Sequence, residues 1–156
     1  MRSDPVYRVL LVILLLTAGC STGIVVHDEN RAAELIVDFL SSLKTDEGIK
    51  LCYAWTDDRY KEEVSPGQFS RMVARLRRMN RGADIELVGY EVFGPVELIN
   101  VYAISRQSDS MLYYRFVLSG TKTEDYYLLQ LDFDESEYRK EGIYNRYPQS
   151  ISVHGV

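Results

Sequence analysis

The apolar residues of this chain change their spacing once, near Ala83, and that change limits the fold more than any other feature. Before it they recur every three or four residues, as on one face of a helix. After it they alternate, as on one face of a strand. Ala32, Leu35, Ile36, Phe39, Leu40 and Leu43 predict a helix from Glu29 to Lys44, with Asp28 as N-cap. Asp46 is expected to cap a second, short helix whose apolar side is Ile49, Cys52 and Tyr53, with Trp55 following. The polar stretch Asp57 to Glu63 reads as a helical turn. Ser65-Pro66-Gly67-Gln68 is a capping box with proline at the first helical position. The helix it opens would bury Phe69, Met72, Val73, Leu76 and Met79.

The alternating half divides into four predicted strands. Ile85 to Phe93 is the first, and a phase shift at Val88-Gly89 predicts a bulge. Val96 to Ser105 follows the Gly94-Pro95 turn. Met111 to Ser119 points Leu112, Tyr114, Phe116 and Leu118 to one side. Tyr126 to Phe133 would put Tyr127, Leu129, Leu131 and Phe133 on one face. Residues 136–156, polar and rich in tyrosine, either add an edge strand or form a tail.

Three N-terminal helices followed by four antiparallel strands define an α+β class, with the sheet curled over the helices so that both apolar faces are covered. This order, together with Ala54-Trp55-Thr56-Asp57 and Val64-Ser65-Pro66-Gly67-Gln68-Phe69, resembles small NTF2-like (cystatin-like, SnoaL-type) domains of exported bacterial proteins. The resemblance spans residues 29–135. It implies three helices packed into the concave face of a curved four-stranded antiparallel sheet. Such domains include both enzymes and non-catalytic modules.

Ahead of the domain, Arg2 and Arg8 flank the start of an unbroken apolar run, Val9 to Leu16, and Thr17, Ala18 and Gly19 are small. This is the form of a secretory signal, and it is too short to span a bilayer. Leu16-Thr17-Ala18-Gly19-Cys20 is similar to a bacterial lipobox. That resemblance implies a signal peptide over residues 1–19, cleavage between Gly19 and Cys20, and lipidation of Cys20 with diacylglycerol and an acyl chain such as palmitate. Residues 20–28 would be the lipidated tether. Ser21 follows the cysteine, which implies sorting to the outer membrane, facing the periplasm. Each buried methylene contributes about 0.8 kcal/mol, so one chain anchors marginally and two or three on one cysteine hold permanently.

Cleavage would remove Arg2, Arg8 and Asp4, leaving 137 residues with 16 basic and 22 acidic side chains, a net charge of −6. An acidic exported domain is a poor match for nucleic acid, which needs clustered Lys and Arg. With Cys20 lipidated, Cys52 has no internal disulfide partner and is expected as a small buried apolar residue. His27 and His154 are the only histidines. Neither a metal site nor a cofactor is expected, nor a Cys-His or Ser-His-Asp nucleophile.

Three groups remain as candidate sites. Arg71, Arg75 and Arg78 recur at i, i+4 and i+7 on the last helix. Such a stripe would meet lipid phosphates, glycan carboxylates or an acidic partner. The competing reading is a solvated face paired with Glu62, Glu63 or the acidic run 132–137. Twelve tyrosines, among them Tyr102, Tyr113, Tyr114, Tyr126 and Tyr127 on strands, would either line a concave face or simply pack. Asp57, Asp58, Tyr53 and Tyr60 supply the residue types of a ketosteroid-isomerase-like site, although capping also accounts for the aspartates.

The expected function is therefore a lipid-anchored envelope protein, attached to the membrane, with a non-catalytic binding domain. Its partner would be another envelope protein or a cell-wall component. The alternatives are a small-molecule or lipid carrier using the concave cavity, and a ketosteroid-isomerase-like enzyme.

Overall fold

The computed structural model describes residues 25–94 and 96–156. The signal segment, the Gly19-Cys20 junction and the lipidation site lie outside the described residues. The first half forms four helices rather than three: α1 (Glu29–Ser42), α2 (Asp46–Ala54), α3 (Asp58–Glu63) and α4 (Pro66–Asn80). Asp28 caps α1, accepting from the N–H groups of Asn30 and Arg31 at 3.2 and 3.1 Å. Thr45, not Asp46, caps α2 by accepting from Gly48 N–H. Asp46 instead lies in the first turn, where the helix dipole favours an acid. The helical turn predicted at Asp57 is the full helix α3. It buries no residue, so no apolar period marked it as more than a turn. The capping box of α4 is present, with Ser65 N–H donating to Gln68 Oε1 at 2.8 Å.

The second half is a sheet of five strands, not four: β1 (Ile85–Val92), β2 (Leu98–Arg106), β3 (Met111–Ser119), β4 (Tyr127–Asp134) and β5 (Ile143–Val153). The order is β4-β3-β2-β1-β5, and every neighbouring pair is antiparallel. The fifth strand comes from the residues 136–156 and is the edge strand of the two alternatives. It carries no alternating apolar signal because most of it faces solvent; Ile143 is 67% exposed.

Register shifts interrupt the ladders on β1 and on β4. On β1, Leu87 pairs with Ala103 and Gly89 with Tyr102, which leaves Val88 as the bulge residue. Against β5 the same two residues pair with Ile151 and Arg146, so residues 147–150 loop out. Pro148, which has no N–H to give, falls in that loop. On β4, Val117 opposes Gln130 and Leu118 opposes Leu128, leaving Leu129 extra. That slip reverses the phase expected at the start of β4: Tyr126 and Leu128 are buried and Tyr127 is exposed.

The helices cover one face of the sheet. Phe39 from α1, Phe69 from α4, and Tyr114 and Phe116 from β3 fill the space between the layers, each no more than 1% exposed. Phe39 meets both other phenyl rings edge-on. The Tyr114 hydroxyl donates to Asn80 Oδ1 at 2.9 Å, so the one polar atom of that ring is satisfied.

Strand order dictates one more feature. β4 and β5 occupy opposite edges, so residues 135–142 must cross the whole sheet. They do so on the face away from the helices, where Arg115 stacks over the Tyr138 ring at 5.2 Å and Lys140 over Tyr102 at 5.1 Å. Among the described residues no helix is long and apolar enough to cross a membrane.

Candidate functional site

A groove of about 750 Å³ runs beside the exposed edge of β4. Arg71 and Arg75 of α4 form one wall and Leu131 and Phe133 the floor. Tyr138 and Arg139 of the crossing segment form the other wall. The Arg75 guanidinium lies 5.6 Å from the Phe133 ring centroid, an arrangement that holds a cation over an aromatic face while leaving its N–H groups free. Arg115 pairs with Asp132 at 2.6 Å and neutralises it.

Among the described residues Arg71, Arg75 and Arg78 enter no ion pair. The acids suggested as their partners bond elsewhere or stand in solvent: Asp132 joins Arg115, and Glu137 joins Lys140. The stripe is not a single surface, however. Arg78 lines a separate small pocket with Arg81, Gln107 and Glu135, so only Arg71 and Arg75 share the large groove. Chemically, this groove offers two unneutralised guanidiniums above an apolar floor, a setting for carboxylate or phosphate recognition.

A second constellation was not visible in the sequence. Glu91, on the outer face of β1, is fully buried. Its carboxylate accepts from the Tyr102 hydroxyl at 2.5 Å, from Asn100 Nδ2 at 3.3 Å, and from the backbone N–H groups of Glu141 and Gly142. Gly142 comes so close that a Cβ there would stand 3.1 Å from Glu91 Cγ and 3.0 Å from Phe93. Burial pushes the Glu91 carboxyl up, but the bonds from Tyr102, Gly142, Glu141 and Asn100 outweigh it and hold it below the usual carboxylate range. Burial and the Glu91 hydrogen bond push the Tyr102 phenol up to about 12. A carboxylate that stays charged beside a phenol that stays neutral is an anchor for the crossing segment, not a poised proton-transfer pair.

The ketosteroid-isomerase-like group does not converge. Asp57 caps α3, and the hydrogen bond from Arg59 outweighs burial to hold it well below the usual carboxylate range, with help from Ser119. Asp58 is exposed and pairs with Lys61. Tyr53 and Tyr60 pack on Phe69, and the Tyr53 hydroxyl donates to the Val64 carbonyl at 2.8 Å. Nor do the strand tyrosines share a face. Tyr114 is inside the core, Tyr102 and Tyr113 lie on the outer face, and Tyr127 is exposed. Cys52 is buried, with Sγ 3.3 Å from the Phe39 carbonyl, and burial pushes its thiol up to about 12. Among the described residues no cluster of three or more His, Cys, Asp or Glu could hold a metal ion.

No family model, curated protein or solved structure matches the chain.

Proposed function

We propose that this chain is a lipid-anchored protein of the bacterial cell envelope whose NTF2-like domain binds a partner through the Arg71–Arg75 groove and carries out no catalysis. The observation that carries the binding reading is the pair of guanidiniums, Arg75 over Phe133 and Arg71 beside it, that have no carboxylate partner among the described residues. Side chains fill the space between helices and sheet, where a carrier would need a cavity. That favours surface recognition over enclosure of a small ligand. The NTF2-like reading rests on the helices-then-strands order and the bulged antiparallel sheet packed on one face.

The lipobox supports attachment at Cys20, in the outer membrane facing the periplasm. The end of the tether nearest the domain is docked rather than loose: Lys122 N–H donates to the Val26 carbonyl at 2.7 Å and Asp28 N–H to the Tyr126 hydroxyl at 2.8 Å. That leaves six residues from Cys20 to Val25, whose five Cα–Cα steps reach at most about 18 Å. Two guanidiniums over an apolar floor suit the carboxylates of an anionic envelope protein or cell-wall component.

The test is a photo-crosslinking amino acid at exposed Ala74, next to the groove, in the full-length protein in living bacteria. Discrete adducts should form and disappear with Arg71→Glu/Arg75→Glu, while the protein level is unchanged. Adducts that survive the double substitution, or no adduct at all, would overturn the proposal.

A further inference from the structure

We propose that the free edge of β4 takes up an extended acidic peptide of the partner as an additional strand, seated between that edge and α4. The inference rests on the reading of the Arg71–Arg75 groove as a binding site and names the partner's chemistry.

Two independent observations carry it. The first is the edge itself. At its start, β4 already accepts a foreign segment: Leu128 N–H donates to the Trp55 carbonyl at 3.1 Å, Asp57 N–H donates to the Leu128 carbonyl at 2.8 Å, and Thr56 bridges Leu128. Beyond Leu128, among the described residues, no segment pairs with the outer side of β4. From Gln130 to Asp134 the strand has no proline and no further register shift, so it lacks two of the usual edge defences. The groove is lined from both faces of the sheet, by Arg75 on the helix side and by Arg115 and Tyr138 on the other, so it wraps this edge.

The second observation is charge. Arg115 neutralises Asp132 and Lys140 neutralises Glu137. What remains along the groove is Arg71, Arg75 and Arg139 against Asp134, an excess of positive charge that selects an acidic strand. Spacing narrows the sequence further. Arg71 and Arg75 are four residues apart on a helix, a rise of about 6 Å. Alternate residues of a strand are about 6.7 Å apart. Acidic side chains at positions i and i+2 of the added strand would each meet one guanidinium. Main-chain pairing then supplies affinity, and the two arginines supply selectivity.

The experiment uses the full-length protein in detergent micelles and a fluorescein-labelled octapeptide alternating Glu and Thr. Fluorescence anisotropy should show saturable binding, weakened at least tenfold by Arg71→Glu/Arg75→Glu and absent for the Lys-Thr counterpart. The same peptide N-methylated at every second residue cannot complete the ladder and should bind at least tenfold more weakly. Binding should also slow amide hydrogen exchange at Leu131 and Phe133. No binding of the Glu-Thr peptide overturns the inference. Equal binding of the N-methylated peptide overturns strand addition while leaving an anion-binding groove. A concentration-dependent dimer that excludes the peptide overturns it by putting a second copy on the edge. The Ala74 crosslinking result is independent of all three, so a failed peptide and a failed groove are told apart.

Discussion

Glu91→Leu should loosen the segment that crosses the sheet. The carboxylate accepts four donors, from Tyr102, Asn100, Glu141 and Gly142. Leucine fits the volume and accepts none. The Tyr102 hydroxyl and the Asn100 amide sit on residues only 3% and 5% exposed. Each buried donor left without a partner costs about 1–3 kcal/mol. Removal of a buried charge returns part of that, because its desolvation cost goes too. A net loss of about 3 kcal/mol follows, which for a domain of this size lowers Tm by roughly 10 °C. Thermal unfolding followed by far-UV circular dichroism measures it. Limited trypsin digestion reads the local effect, since Arg139 and Lys140 lie in the crossing segment and should be cut sooner in the variant. Because the native carboxyl is held below its usual value, its contribution is complete only above roughly pH 5, past the free glutamate value, and fades as pH falls through the native value. The gap between wild type and variant should therefore close in acid. A Tm within about 2 °C of wild type at pH 7, with trypsin cutting at an unchanged rate, would refute the anchoring role.

Asp57→Ala removes the cap of α3 and the partner of Arg59 and Ser119, and should cost about 1–2 kcal/mol at pH 7; urea denaturation should show the difference shrinking below roughly pH 4, since this carboxyl too is held low in the native state. Cys52, buried and with its thiol pushed up to about 12, should resist a maleimide in the native protein and react fully in urea; rapid native labelling would contradict its placement. Cys20→Ala should leave the precursor unprocessed and without incorporated palmitate, and normal processing on a gel would contradict the lipobox reading.

The parts of the fold that were legible are those whose signal is local. The capping box Ser65 to Gln68, the inward set Leu112, Tyr114, Phe116 and Leu118, and the Val88-Gly89 bulge each follow from a few neighbouring residues, and each is present. Where one side chain's surroundings come from a distant segment, the sequence is silent. Glu91 reads as an ordinary solvent-facing strand residue, yet it is covered by a stretch some 50 residues later. β5 stays open between edge strand and tail in the sequence because an exposed edge strand with a looped-out proline shows no period of two. The phase error at Tyr127 arose from a single extra residue, Leu129, since one inserted residue turns every later side chain to the other face. For the candidate site, helical spacing located Arg71, Arg75 and Arg78 together. It could not show that only the first two share the groove, because that depends on where β4 and the crossing segment pass.

The most direct measurement is native mass spectrometry of the full chain expressed in a diderm bacterium and extracted from its membranes in detergent. A lipid-anchored binding module predicts the mass of residues 20–156 plus diacylglycerol and acyl groups, with no small molecule retained. The unprocessed 18.0 kDa precursor would contradict the anchor, and a processed chain that keeps a small ligand would contradict the binding module in favour of a carrier.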